Sequence, residues 1–406
     1  MDEIQSILNS MMSQATAPQT AAVAIAVIGL NIHFGFTGLL NIGQSAFMLL
    51  GAYGFAITIK EGIPAFGIDP LTGTSLVAGV LVGLALAFLF ALVLGVPTLK
   101  LRGDYLAIVT ISAAEILRYV GRSVGYEGLL NLTGGAQGIA GSRYRQPFSD
   151  LSPFDDSSAE NTFLPFNYHD IADGAAWVRI VGWLVVVGLI VAIVQVARRR
   201  TGLDGRSRTG AIVGLSVATA LGLLFLVPVT NQNTGVDGWF VTIVGWVLVV
   251  LSTVAVLLLA RSPWGRALRG VREDEDAMRS LGKNVFAIKM QALVIGGLFG
   301  ALGGIVYVLP ATVQPDSMGR SLTFFCYTAL LLGGAATIWG PILGSIIFFA
   351  GRIFIISFSN TYLDGVMSQQ ESSQFAYIVV GVALMLLVIF RPQGILGDKR
   401  ELRFNV

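Results

Sequence analysis

The strongest constraint on this chain is a series of apolar runs long enough to cross a lipid bilayer. One of them, "VAGVLVGLALAFLFALVLGVPT" at 77–98, carries no charge at all. A helix needs about 20 mostly apolar residues to span the hydrocarbon core, where every backbone polar group must be satisfied internally. Candidate spans fall near 18–34, 42–60, 74–98, 105–121, 177–197, 210–228, 239–260, 286–309, 321–338, 341–358 and 375–390. Those near 18, 105 and 341 are short or interrupted by polar residues. The pattern predicts an all-α, polytopic integral membrane protein with about eleven transmembrane helices (range 9–11), 1–406 forming a single transmembrane domain. With 54% of residues hydrophobic and only 12% charged, the chain lacks the roughly 25% charge of a soluble domain. A net charge of +2 gives no reason to expect a nucleic-acid partner; the expected surrounding is the lipid bilayer.

Loop charge sets the direction. With the N-terminus outside and the C-terminus cytoplasmic, seventeen of the 26 Lys and Arg residues lie inside and six outside, with Arg118, Lys289 and Arg352 within spans. The opposite orientation reverses the bias. Residues 122–176 then form a polar extracytoplasmic loop with seven acids, either a solvated connection or a docking surface for an external partner. Residues 1–17 contain no Lys or Arg, so the basic region of a cleavable signal is missing and the first span is expected to be retained.

Small residues at helical spacing point to close helix contacts. Gly296, Gly300 and Gly304 share one face; Gly340 and Gly344, and Ala52 and Ala56, repeat the spacing. In "GFTGLLNIGQSAFMLLGAYGFA" (35–56), Asn41, Gln44 and Ser45 stand among apolar residues. Polar groups at membrane depth face a bundle interior or a water path; with Thr110 and Glu115 they are candidates for a translocation path. Glu115 and Arg118 share a helical face, as either path-lining groups or a structural ion pair.

Several chemistries are excluded. No phosphate loop of the G-x-x-x-x-G-K-[ST] type is present, because Gly282-Lys283 continues with Asn284. "GRSVG" (121–125) matches a nucleophile elbow by letter, but a membrane span and not a strand precedes it. A single cysteine, Cys326, and two distant histidines, His33 and His169, give no metal-ligand spacing. Neither a catalytic residue nor a metal site is expected, so any ATP-driven motor must be a separate subunit.

One stretch breaks the apolar texture. "RALRGVREDEDAMRSLGKN" (266–284) holds nine charges in nineteen residues, inside a cytoplasmic loop spanning 261–284. Ser262 can cap a helix, Pro263 suits its first turn and Gly282 can end it. Gly270 suggests a division into two shorter helices. Arg269 with Glu273, and Arg272 with Asp276, are spaced as i,i+4 pairs. Ala267, Leu268, Val271, Met278 and Leu281 recur at near-helical spacing. The segment is either a solvated connector or a helix docked in a partner's groove.

These residues also carry a resemblance. "DAMRSLG" (276–282) resembles the E-A-A-x-x-x-G coupling motif of ATP-binding-cassette (ABC) importer permeases, with Asp for Glu and Met for the second Ala. The longer "SPWGRALRGVREDEDAMRSLGKNVFAIKMQAL" resembles the corresponding loop of branched-chain amino acid permease subunits of the LivM type. "GLLNIGQSAFMLLGAYG" (38–54), "LRGDYLAIVTISAAEILR" (101–118), "LTGGAQGI" (132–139), "SLTFFCYTALLLGGAATIWGPILGS" (321–345) and "RPQGILG" (391–397) resemble its other segments in order. The resemblance implies half of a translocation path for leucine, isoleucine and valine, in a bacterial cytoplasmic (inner) membrane. It implies as partners a second related permease subunit, two cytosolic ATPase subunits that bind ATP and Mg, and an extracytoplasmic substrate-binding protein. No cofactor is expected on this chain. The coupling role falls on Gly265, Arg266, Arg269, Glu273, Asp274, Asp276, Ala277 and Gly282. The family usually places one span between the "LTGG" segment and this loop; here three are expected, so residues 198–238 read as an inserted helical hairpin region. A urea or short-chain amide permease of the same superfamily is the nearest alternative. An ATP-independent channel or ion-coupled secondary transporter is the alternative of another class.

Overall fold

The computed structural model describes residues 2–99, 103–123, 132–151, 236–362, 368–391 and 393–397, with scattered positions between 184 and 219. Most of the expected spans near 177–197 and 210–228, most of the 198–238 insertion and much of the 122–176 loop fall outside the described residues.

All regular structure among the described residues is helical. In chain order the helices are α1 (Asp2–Thr16), α2 (Pro18–Leu30), α3 (Gln44–Glu61), α4 (Gly73–Thr98) and α5 (Gly103–Arg122). After these come α6 (Val236–Arg261), α7 (Pro263–Glu273), α8 (Glu275–Ser280), α9 (Val285–Val308), α10 (Arg320–Gly333), α11 (Gly340–Tyr362) and α12 (Gln369–Phe390). Among the described residues, six helices are long and apolar enough to cross a membrane. The sequence reading begins the bundle at residue 18 and does not anticipate α1, a 15-residue helix packed on α11. Trp246 Nε1 of α6 donates to the Thr16 carbonyl at its end (2.8 Å).

Burial orders the bundle. The segment Pro18–Phe36 is 89% buried, against 22% for Gly73–Thr98 and 11% for Gln369–Leu387. A helix apolar on every side belongs at the centre, and α2 sits there against α9, with α3, α6, α10 and α11 around it. α4 and α12 turn long apolar faces outward, through residues such as Leu81, Val93, Ile378 and Ile389.

Two breaks shape the core. Beyond Leu30 the helix widens into a π-helical turn, Asn31–Phe36, and the chain loops before restarting at Gln44. α10 ends at Gly333, although the apolar run predicts a span to 338. Its 14 residues cover about 21 Å, less than the bilayer's apolar thickness of about 30 Å. The stop is conformational: Gly334 has φ +113° and Ala336 φ +61°, values no helix accepts. An L-residue at positive φ needs support, and Ala336 has it, because its amide donates to Asn31 Oδ1 (2.8 Å).

Part of the polar loop is packed inward. Ile139 and Val313 exchange two backbone hydrogen bonds of 3.0 Å. The Tyr144 hydroxyl is shared between the carbonyls of Val308 (2.7 Å) and Ala311 (2.8 Å). Burial raises the pKa of the Tyr144 phenol, which keeps it a neutral donor.

Candidate functional site

The charged segment folds into two short helices on the surface of the bundle. Ser262 caps α7, its Oγ accepting from the Gly265 amide (3.4 Å), and Pro263 occupies the first turn. The division falls at Asp274, not at Gly270 as expected. Asp274 leaves helical geometry (φ −155°), and its Oδ1 accepts from the amides of Asp276 and Ala277, both at 2.9 Å. Two capped amides outweigh a mid-helix glycine, which costs only about 1 kcal/mol. Gly270 instead makes room for Met278: a Cβ there would lie 2.7 Å from the Met278 sulfur. Gly282, at φ +72°, ends α8.

α7 is two-faced. Gly265, Leu268 and Val271 are buried against the bundle, so the stripe that includes Leu268 and Val271 is not available to a groove outside this chain. Arg266, Glu273, Asp274, Asp276, Ala277 and Gly282 are exposed, and Arg269 is half-buried. Leu281 is 74% exposed. The segment therefore offers charges surrounding one protruding leucine.

The arginines find partners that local spacing does not reveal. Arg269 Nη2 donates to the Ala260 carbonyl (3.0 Å) near the end of α6. Arg272 Nη1 donates to the Gly35 carbonyl (2.5 Å) in the π-helical turn. Both cap carbonyls at helix C-terminal ends, where a cation is favoured, and these contacts replace the expected pairing of Arg269 with Glu273. Asp276 pairs with Arg279 (2.8 Å), and not with Arg272 as expected. Glu275 accepts from Lys289, a buried residue of α9, at the edge of a cavity of about 410 Å³ bordered by Leu99, Lys283 and Phe286.

Beneath Gly35 lies a buried polar cluster. Asn41, Gln44, Ser45 and Thr110 are each at most 1% exposed. Asn41 Nδ2 donates to Gln44 Oε1 (3.2 Å) and to His33 Nδ1 (3.1 Å). His33 Nε2 faces the Leu293 carbonyl (3.1 Å), which only accepts, so the proton of a neutral ring sits on Nε2. Gln44 Nε2 donates to the Ala26 carbonyl (3.0 Å). Thr110 Oγ1 accepts from the Ile42 amide (3.0 Å); Thr323 Oγ1 accepts from the Ser45 amide (3.0 Å). Tyr327 donates to the Asn41 carbonyl (2.9 Å). The cluster thus satisfies the backbone freed by the break between α2 and α3. Sequence reasoning missed Asn31, His33, Thr323 and Tyr327 here. The one available signal was that each is polar within an apolar run.

α9 crosses this cluster on its glycine face. Gly296 lies against His33 and the Gly29 carbonyl, Gly300 against Gln44 and Phe47, and Gly304 against the Met48 backbone, none with room for a Cβ. Glu115 lies elsewhere, near the far end of α5. It pairs with Arg118 (2.8 Å) and Arg320 (3.0 Å), and Arg118 also reaches Asp316 (2.5 Å). Arg352 remains within α11, donating to the Tyr377 hydroxyl (3.0 Å).

Long apolar helices locked by small-residue contacts around a buried polar break define a multi-pass membrane protein. Residues 14–389 match the model of the family described as "Branched-chain amino acid transport system / permease component", and the chain belongs to that family. It is 28% identical over 389 residues to the high-affinity branched-chain amino acid transport system permease protein LivM of Salmonella typhimurium, covering 95% of this chain and 70% of that one. Against LivM of Escherichia coli the identity is 28% over 398 residues, covering 96% and 72%. The autoinducer 2 import system permease protein LsrC of Photorhabdus laumondii is 26% identical over 147 residues, 36% of this chain and 43% of that one. No solved structure matches.

Proposed function

We propose that this chain is one of two membrane subunits of an ABC importer for branched-chain amino acids in a bacterial cytoplasmic membrane. The LivM relatives support the substrate class. Loop charge supports an external N-terminus and a cytoplasmic C-terminus. The observation that carries the reading is the α7–α8 surface: charged, capped, exposed at Leu281, and tied inward through Arg272 to the broken helix. A solvated connector has no need of such ties. One of two cytosolic ATPases, which bind ATP and Mg, docks there; a related permease completes the path and an extracytoplasmic protein delivers substrate. The contacts made by Gly265, Arg266, Arg269, Glu273, Asp274, Asp276, Ala277 and Gly282 set orientation and hold the docking helices in shape. Alternating access then moves packed helices around the break at 31–43.

The test is uptake of labelled leucine and labelled urea in cells lacking the native system and supplied with all subunits. Leucine uptake that requires the ATPases is expected. Uptake of urea alone moves the substrate to amides, and leucine uptake without the ATPases contradicts the coupling role.

A further inference from the structure

α8 poses a mechanical problem. It has six residues and none of them is buried, so apolar packing does little to hold it. A solitary helix of that length is unstable in water. Its inner side borders the cavity of about 410 Å³ rather than a packed wall. Three features hold it. Asp274 caps its start, Met278 lies against Gly270, and Glu275 meets Lys289.

The third feature is unlike the other two, which are local to the α7–α8 segment. Lys289 belongs to α9, and its side chain is 8% exposed. A buried ammonium is costly unless it is paired. Glu275 is its ion-pair partner among the described residues. Arg279 also approaches Glu275, but at 3.4 Å and from an exposed position. From Lys289, α9 runs without a break to Gly296, Gly300 and Gly304, where its backbone meets α2 and α3. A push on α8 therefore has a rigid route into the centre of the bundle.

We infer that Lys289 is a positioning residue which, through Glu275, makes α8 and α9 move as one body and so relays ATPase motion to the glycine seam. The inference rests on the ABC reading above. Its physical basis is asymmetry of cost. Separating α8 from α9 strands a buried cation, whereas moving them together leaves the pair intact and shifts α9 along its glycine contacts with α2 and α3. Arg272 performs a parallel task for α7 at Gly35, so the two docking helices hold two different core elements.

The experiment uses the full complex in proteoliposomes, with leucine uptake and ATP hydrolysis measured in the same vesicles. Variants are Lys289→Met, Glu275→Gln, Glu275→Asp and the exchange Glu275→Lys with Lys289→Glu. Leucine transported per ATP should fall roughly 2- to 30-fold in the single variants, the range of substitutions within a coupling network. The exchange should recover most of that loss. A merely structural pair lowers the amount of assembled complex and leaves the ratio unchanged, and that result overturns the inference. Glu275→Asp retains both charges and shortens the reach by one methylene, so it covers the case in which the neutral variants do not assemble. An assembled Glu275→Asp complex with a wild-type ratio also overturns it. A wild-type complex whose uptake needs no ATP overturns the ABC reading, and the joint with it; a coupled wild type beside unaffected variants overturns the joint alone.

Discussion

Replacing Asn41 with Leu removes the polar centre of the buried cluster while keeping the branched shape and the number of side-chain heavy atoms. Three hydrogen bonds go: Nδ2 to Gln44 Oε1, Nδ2 to His33 Nδ1, and the Gly43 amide to Oδ1 (2.9 Å). Each has a net worth of about 1 kcal/mol, giving a loss of about 3 kcal/mol, or roughly 100-fold in the equilibrium between closed and opened core. Cys326 makes this measurable. It is the chain's single cysteine and is fully buried on α10, one residue from Tyr327, which donates to the Asn41 carbonyl. Alkylation of detergent-purified protein by N-ethylmaleimide reports how often this core opens. Asn41→Leu should raise the labelling rate about 30- to 300-fold, with exposed Gln374→Ala at the wild-type rate. A rate within about threefold of wild type, less than the roughly fivefold that 1 kcal/mol produces, refutes the view that this cluster holds the broken helix closed.

Gly304→Leu should abolish the monodisperse peak in size-exclusion chromatography, because its Cβ would meet the Met48 backbone; Gly381→Leu, with open space around it, should run as wild type. Leu281→Ala should weaken co-purification of the ATPases by about 1–2 kcal/mol, or 5- to 30-fold, as for an exposed anchor at an interface, with thermal stability intact. Leu268→Ala, at 1% exposure, should instead destabilise the chain by about 2–5 kcal/mol, seen as a lower melting temperature. Tyr144→Phe takes the hydroxyl donor from the carbonyls of Val308, which keeps the Ala311 amide (3.2 Å), and of Ala311; it should cost about 1–3 kcal/mol, read in the same thermal scan, and no change would mean that the 132–151 segment is not fastened through this hydroxyl.

What the sequence revealed, and what it hid, divides along a physical line. Helix ends with local causes were legible. Ser262, Pro263 and Gly282 mark their boundaries through backbone chemistry within a few residues, and the structure places α7 and α8 between them. Apolar length placed α4, α6 and α9 for the same reason. Features set by distant partners were not legible. α10 stops at Gly333 because the backbone of Ala336 is held by Asn31, 305 residues away. Arg269 and Arg272 prefer carbonyls at the ends of other helices to the nearby carboxylates. Gly270 looked like a breaker, but a glycine in a helix interior also marks a close approach, and Met278 makes one. Lys289 was counted only as a charge within a span; its pairing with Glu275 depends on how the chain folds back after Gly282.

The central claim is that α7 and α8 present the docking surface for an ATPase. Its most direct test is a photo-crosslinking residue at position 281 in cells that express the whole system. The account predicts one dominant adduct, with the ATPase subunit, whose yield changes when ATP is depleted. No adduct with that subunit, in cells whose leucine uptake is undiminished, would contradict it.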